Sequence, residues 1–442
     1  MSDSNAVQLG RFISQARSRP LPDDVVEAAR LCLCDWVGVA IGARNESAGA
    51  IVRQTVEQMG APGTSTVLFG QPTSPALAAL ANGTLAHCLD FDDTHISATT
   101  HTSAPVWAAT IAMAEALNAS EGDMLHAFVT GFEVSARIGR GMGQTVTDRG
   151  LHSTGVFGRI GAAAAAATLL RLDEEQAQHA LAAAATQSGG LTASFGTMAK
   201  PYHAGKAAMD GVLAAQLSAN GFVAAPGVLE TGGGLDTAVV QDRSAQIAPF
   251  DDSRWEILRN SFKPYAACHL THPAIDAARS AGVSLTEFVS ARLRVSPLAQ
   301  KITGGTDGRP STPLAAKFDL KYCTAMALNA QTLSANDFEE PWAIDPATES
   351  VATRIETQGE QAIGYASAIL EVTTRTGPLE IEIPVAKGHP GNPMGWADMG
   401  DKFEGLVAAK VGDKWTDTFG HLREFGAEGT FQGVRDALRA LS

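Results

Sequence analysis

Nowhere in this chain does a run of lysines and arginines grow long enough to track a phosphate backbone, and the formal net charge is −14. A surface of that sign repels nucleic acid and anionic membranes, so neither is expected as a partner. Long apolar runs are missing as well. The most hydrophobic stretch, residues 160–172, is too short and too Ala-rich to span a bilayer. The opening MSDSNAVQLG has neither the basic nor the apolar segment of a secretory leader, and none is expected. Cysteine is scarce: Cys32, Cys34, Cys88, Cys268 and Cys323 are odd in number, contain no CxxC, and Cys32-x-Cys34 is too tight for the usual zinc pairing. They read as reduced, mostly buried thiols of a cytoplasmic protein. Only 18% of residues are charged while 45% are hydrophobic, which excludes extended disorder beyond the termini.

What is present is length and alanine. At 442 residues the chain exceeds one comfortable core, so two domains are expected. The first 260 or so residues read as helix after helix: one opened by Pro22-Asp23-Asp24, then stretches through SPALAALANGTLAHCLD, APVWAATIAMAEALNA, EGDMLHAFVTGFEVSARIG, GVFGRIGAAAAAATLLRL and DEEQAQHALAAAATQSGG. Alanine is the best helix former, and small faces let helices approach closely, so a tight bundle is expected rather than a solenoid. After about Pro273 the character changes. ARLRVSPLAQKIT and ASAILEVTTRTGPLEIEIPVAKG carry strand patterns, the second a hairpin around Thr376-Gly377-Pro378, with helical STPLAAKFDLKYCTAMALNAQTL between them. Helices return at DKFEGLVAAKVGD and EGTFQGVRDALRAL. The expected fold is mainly α with an α+β domain: a large helical bundle formed by both chain ends (1–266 and 397–442) and a smaller inserted α+β lid (267–396).

Four distant segments set a lysine or histidine among turn formers: DFDDTHISATTH (90–101), GLHSTGVFG (150–158), MAKPYHAGKAAMDG (198–211) and SFKPYAACHLTHP (261–273). Lysine and histidine in Pro-broken stretches are poor core material, yet their flanks are apolar. The combination implies a pocket that gathers positive charge for an anion and moves protons through imidazoles. In the first segment Asp90, Asp92, Asp93, His95 and His101 match no metal spacing, and no metal is expected. Asp92 and Asp93 read either as functional or as caps of a turn and the following helix. His152 precedes a helix N-terminus, whose free N–H groups favour a carboxylate. Lys200, His203 and Lys206 flank Pro201 and Gly205, and Lys263, Tyr265, His269 and His272 form a similar set at the expected domain junction. Tyr322 reads on spacing alone as buried packing. GRGMG (139–143) has the glycines of a dinucleotide loop but follows no strand, so no nicotinamide site is expected, and GxSxG and Walker loops are absent.

At AHCLDFDDTH, GFEVSARIG, GLHSTGVFG, KPYHAGKAAMDG, FKPYAACHLTHPAIDAA and KGHPGNPMGWADMGDKF the chain resembles the MmgE/PrpD family, which includes 2-methylcitrate dehydratase, cis-aconitate decarboxylase and iminodisuccinate epimerase. The resemblance runs nearly the whole length. It implies a helical domain with an α+β lid, commonly a homodimer, and catalysis on small di- or tricarboxylates with no metal or organic cofactor. The decarboxylase site carries over to Asp90, Thr94, His101, His152, Lys200, Lys263 and Tyr322. The chain departs from that branch where Thr94 is followed by His95-Ile96-Ser97 rather than Trp-His-Pro, in a loop one residue longer.

The shared difficulty of such reactions is a carbanion next to a carboxylate, which fixed positive charge must stabilise. The roles expected are His101 as general acid/base, Tyr322 as a second proton donor, Lys200 and His152 stabilising the transition state, and Asp90, Thr94, Lys263, His203, Lys206 and His269 binding substrate. The expected activity is a cofactor-independent lyase of dehydratase or decarboxylase type. The alternatives are an epimerase of an iminodisuccinate-like dicarboxylate and a carboxylate-binding protein without catalysis.

Overall fold

The computed structural model of the protein describes residues 4–230, 234–242, 245–248, 254–339, 342–426, 435–436 and 439. Sixteen α-helices and four strands are assigned among them. In chain order the first nine helices are α1 (Asn5–Ser14), α2 (Asp23–Gly42), α3 (Ser47–Met59), α4 (Pro75–Leu85), α5 (Ser103–Leu117), α6 (Glu121–Asp148), α7 (Ser153–Leu169), α8 (Glu174–Ala185) and α9 (Ala199–Ala219). The chain divides into two compact units, Met1–Ser261 with Met399–Ser442, and Phe262–Asp398.

In the first unit α7 is the axis. Its sequence STGVFGRIGAAAAAATL has small side chains on every face, and every residue from Ser153 to Leu169 is buried. Helices α5, α6 and α9 pack on it, and α4 packs on α9. Small residues set these distances: a Cβ on Gly161 would lie 2.6 Å from the Gly131 carbonyl oxygen of α6, and one on Gly131 would lie 2.5 Å from that of Gly161. The GRGMG glycines fall inside α6, so they form no loop. Lys200 and Pro201 stand in the first turn of α9, where proline costs no hydrogen bond, so this segment begins a helix rather than a turn before one.

Two further helices return to this unit's sequence at the C-terminal side, α15 (Trp396–Val411) and α16 (Trp415–Arg423). Lys402 of α15 buries its ammonium 2.5 Å from Asp35 Oδ1 and 2.7 Å from the Phe91 carbonyl. Phe403 and Leu406 lie over Gly38 and Gly42 of α2. The helix expected over residues 428–441 lies outside the described residues except for Arg435, Asp436 and Arg439.

The second unit holds the helices α10 (His272–Ala281), α11 (Pro297–Thr303), α12 (Pro313–Lys317), α13 (Leu320–Leu328) and α14 (Pro346–Ala352). Its sheet, ordered β2-β1-β3-β4, comprises β1 (Phe288–Val295), β2 (Ile355–Gly359), β3 (Ala368–Thr374) and β4 (Gly377–Ile383). Strands β3 and β4 form the expected antiparallel hairpin, closing at Thr374 opposite Gly377, with Gly377 at φ +141°. β1 pairs antiparallel with β3 and parallel with β2. Helix α10 covers β3 and β4. The stretch from Ser311 to Leu333 contains two helices, separated at Phe318 and at Asp319, which caps α13 by accepting from Tyr322 N. No helix among the described residues is long and apolar enough to cross a membrane.

Candidate active site

Between α4 and α5 the only helical turn is a short 3-10 helix, Ile96–Ala98, and this stretch carries the densest chemistry of the first unit. It is pinned at three places: Thr94 and Ser261 exchange backbone hydrogen bonds, His95 bridges Thr100, and His101 N donates to Thr154 Oγ1 at 3.0 Å in the first turn of α7. Asp90 adopts φ +52°, a left-handed conformation that aspartate tolerates better than most residues. From there successive side chains diverge. Asp90 Oδ1 sits 2.8 Å from Lys200 Nζ and 3.7 Å from His101 Nε2. Asp92 lies with both carboxylate oxygens 2.9 and 3.0 Å from His87 Nδ1, and Oδ2 is also 3.1 Å from His101 Nδ1. Asp93 faces elsewhere, accepting from Ser103 Oγ and from Asn260 Nδ2 while its backbone N–H donates to Asp35.

Neither Asp92 nor Asp93 is a cap, which corrects that reading of the motif: no backbone N–H of α5 reaches them. The capping in this loop belongs to His95, whose Nδ1 accepts from Ala98 N at 3.1 Å while its Nε2 lies 3.2 Å from Glu256. His95, where the chain departs from the decarboxylase pattern, is therefore buried in a structural network with Glu256 and Arg140.

Two of the other segments, 150–158 and 198–211, close on the same place. His152 is the residue before α7, but its ring makes no capping bond. Its Nδ1 lies 3.2 Å from His203 Nδ1 of α9, and its ring stacks on His87 with centroids 5.7 Å apart. The His87 and His101 rings are 4.5 Å apart. Phe195 stands edge-on to His152 at 5.0 Å, and Lys200 Nζ is 5.6 Å from its ring centre. Gly190, at φ +112°, is required here, because a Cβ would meet the His203 ring at 3.1 Å. Thr94 Oγ1 reaches His101 Nδ1 at 3.5 Å. Thus Asp90, Thr94, His101, His152, Lys200 and His203, from three of the four segments, gather in one cluster with Asp92. His87 is the member that sequence reading passes over, because it ends an Ala-rich apolar helix and looks like core.

Lys206 pairs with Asp210 one turn along α9, and Asp210 also holds Arg159 at 2.8 Å. Lys263, His269 and Tyr322 belong to the second unit. Lys263 is 3% exposed. His269 stacks on His272 with centroids 4.8 Å apart. Tyr322 is buried against Trp342, and its phenolic oxygen accepts from Asp345 N at 3.3 Å. Burial raises the Tyr322 phenol above its ordinary value.

The electrostatics of the cluster differ from the expected pool of positive charge. Burial, then His87, Lys200, His101 and His203, hold the His152 imidazole well below its ordinary value. Burial, aided by Arg159 and Lys200, also lowers His203. Burial lowers His87 to about 4 against the pull of Asp92. Burial would raise the Asp92 carboxyl, but the donors from His87 and His101 outweigh it and keep it well below the usual range. At neutral pH His87, His152 and His203 are therefore neutral imidazoles, set near one ionised carboxylate and the Lys200–Asp90 pair. Neutral imidazoles accept and relay protons. The donor atoms of His87, Asp90, Asp92 and His101 lie within 4.8 Å of one another, a grouping of metal-ligating type. They are bonded instead to each other and to the Lys200 ammonium, and we assign no metal to them.

Comparison with known proteins gives the lineage. Residues 7–248 match the MmgE/PrpD N-terminal domain and residues 265–418 the MmgE/PrpD C-terminal domain. A cis-aconitate decarboxylase of Aspergillus terreus is 27% identical over 372 residues, 77% of this chain and 76% of that protein. The cis-aconitate decarboxylases of Homo sapiens and Mus musculus are 32% and 30% identical over 272 and 270 residues, 59% and 58% of this chain and 56% and 54% of theirs. With both domains matched in order along nearly its whole length, the chain belongs to the MmgE/PrpD family.

Proposed function

We propose that the protein is a lyase acting on a small di- or tricarboxylate, with cis-aconitate the first candidate, by proton transfer at a carbon next to a carboxylate. The observation that carries this reading is the placement of His101: one ring nitrogen on Asp92, the other toward Asp90 and Lys200. Lys200 has further N–H donors to offer a substrate carboxylate, and its side chain is 16% exposed. Charge-assisted bonds of this kind contribute roughly 1.5–3 kcal/mol each. In a decarboxylation the C–C bond to one carboxylate breaks, carbon dioxide leaves, and the electron pair stays on carbon as an enolate-like anion. His101, having taken up a solvent proton at Nε2 as the anionic substrate binds, then donates that proton to the carbon. His152 and His203, held neutral, hydrogen-bond the remaining carboxylates. Lys263 and Tyr322 keep the roles that the family resemblance implies, a second cation and a second proton donor. Nothing in this scheme calls on a metal or organic cofactor.

The test is proton NMR in D2O with cis-aconitate, 2-methylcitrate and iminodisuccinate. Loss of carbon dioxide, or of water, with deuterium entering next to a carboxylate is the expected result. His101→Ala and Lys200→Ala should each lower turnover by at least about a hundredfold with unchanged circular dichroism. Binding of these acids with neither exchange nor product would make the protein a carboxylate binder. Inversion without loss of a group would make it an epimerase.

A further inference from the structure

The carboxylate of Asp92 serves two imidazoles at once, and this arrangement has a chemical consequence for His101. Asp92 is 1% exposed and His87 1% exposed, so neither can exchange its partner for water. Both rings present Nδ1 to the same carboxylate, His87 at 2.9 and 3.0 Å and His101 at 3.1 Å. An ionised carboxylate only accepts hydrogen bonds, so each Nδ1 must carry the proton. A ring that carries only this proton is left with a bare Nε2. For His101 that atom faces Asp90 Oδ1, 3.7 Å away, beside Lys200. His87 Nε2 is buried and has no hydrogen-bond partner among the described residues.

We infer that His87 and Asp92 are positioning residues for His101: His87 anchors the Asp92 carboxylate, and Asp92 fixes His101 as the Nδ1–H tautomer with Nε2 turned to the substrate. His87 is suited to this because its ring, stacked against His152 and packed on His101, cannot swing away. With His87 removed, Asp92 keeps a single donor and gains freedom to rotate. With Asp92 replaced by asparagine, one oxygen and one NH2 group face two Nδ1 atoms. The oxygen can still serve both rings from the shared Oδ2 position, whereas Asp92→Ala takes the acceptor from both and leaves neither tautomer held.

The inference rests on His101 being the proton-transfer group of the proposed lyase, but the measurement can separate the two. Histidine side-chain 15N NMR on the full chain near pH 7.5, assigned with His101→Gln and His87→Gln, reads each tautomer without substrate. The expected spectrum shows both His87 and His101 protonated at Nδ1 and bare at Nε2. Wild-type protein with His101 protonated at Nε2 overturns the inference, whether or not any variant folds. In folded Asp92→Ala, His101 should lose its exclusive Nδ1–H form and show the Nε2–H tautomer; an unchanged His101 tautomer also overturns it. Once a substrate is found, Asp92→Ala should lower kcat by about a hundredfold with KM within about twofold, and equal losses in kcat for Asp92→Ala and an unrelated destabilised variant would count against positioning. The expected tautomers together with no turnover on any acid would leave the positioning pair intact and reject the lyase.

Discussion

Asp92 and Asp93 are adjacent in the chain, yet their side chains meet different partners. Asp92 meets imidazole donors and stays ionised. Asp93 is fully buried beside Asp35 and accepts from Ser103 and Asn260, while its Oδ1 has no partner among the described residues. Burial first, and then the Asp35 charge, raise the Asp93 carboxyl to about 7, against the hydrogen bond from Ser103. The folded state thus holds a proton that the unfolded chain has released above about pH 4. Where the folded state binds more protons, stability falls as pH rises, so this group costs stability progressively between about pH 4 and pH 7. Asp93→Asn keeps an oxygen for Ser103 and Asn260 and carries no charge. Its melting temperature relative to wild type should climb as pH goes from 5 to 8. A constant or shrinking difference across that range would refute the assignment.

Among the elements, the helices were legible because alanine and apolar periodicity favour helix wherever the chain lies, and the β3–β4 hairpin because β-branched residues alternate around Thr376-Gly377. Strand β2 was not legible: IETQG has one apolar residue, and only its parallel pairing to β1 makes it a strand. Nor does any local pattern mark α7 as the helix buried on all sides. The candidate site shows the same division. Lysine and histidine in Pro- and Gly-broken segments stood out, and four of them, His101, His152, Lys200 and His203, meet. His87 did not, because its role depends on Asp92 five residues on and on rings from α7 and α5's approach, not on spacing. The close approach of α6 and α7 can be tested directly. Gly161→Ala drives a methyl against the Gly131 carbonyl and should destabilise by about 1–3 kcal/mol in urea unfolding. Gly405→Ala, on an exposed helical position with open space around it, should stabilise by roughly 0.5–1 kcal/mol. If both changes have the same sign, steric contact is not what sets the α6–α7 distance.

At the scale of the whole molecule, the first unit is assembled from both ends of the chain, and Lys402 shows how firmly. Its ammonium enters a site lined by Asp35 of α2 and the Phe91 carbonyl, with the Phe91 ring 3.9 Å away, and both charged side chains are almost wholly buried. A buried pair of this kind adds little over an apolar pair, but removing one member strands the other. Lys402→Ala leaves Asp35 with its charge beside Asp93 and should cost about 3–5 kcal/mol. Lys402→Met with Asp35→Leu removes both charges and should recover most of that loss, because the packing of Phe403 and Leu406 on Gly38 and Gly42 remains. Because the Phe91 carbonyl belongs to the stretch that carries Asp90 and Asp92, the single variant should also broaden the histidine side-chain 15N signals of the cluster. A single variant as stable as wild type would mean that residues after Met399 contribute packing alone. A double variant no better than the single would mean that the ion pair itself holds the two ends of the chain together.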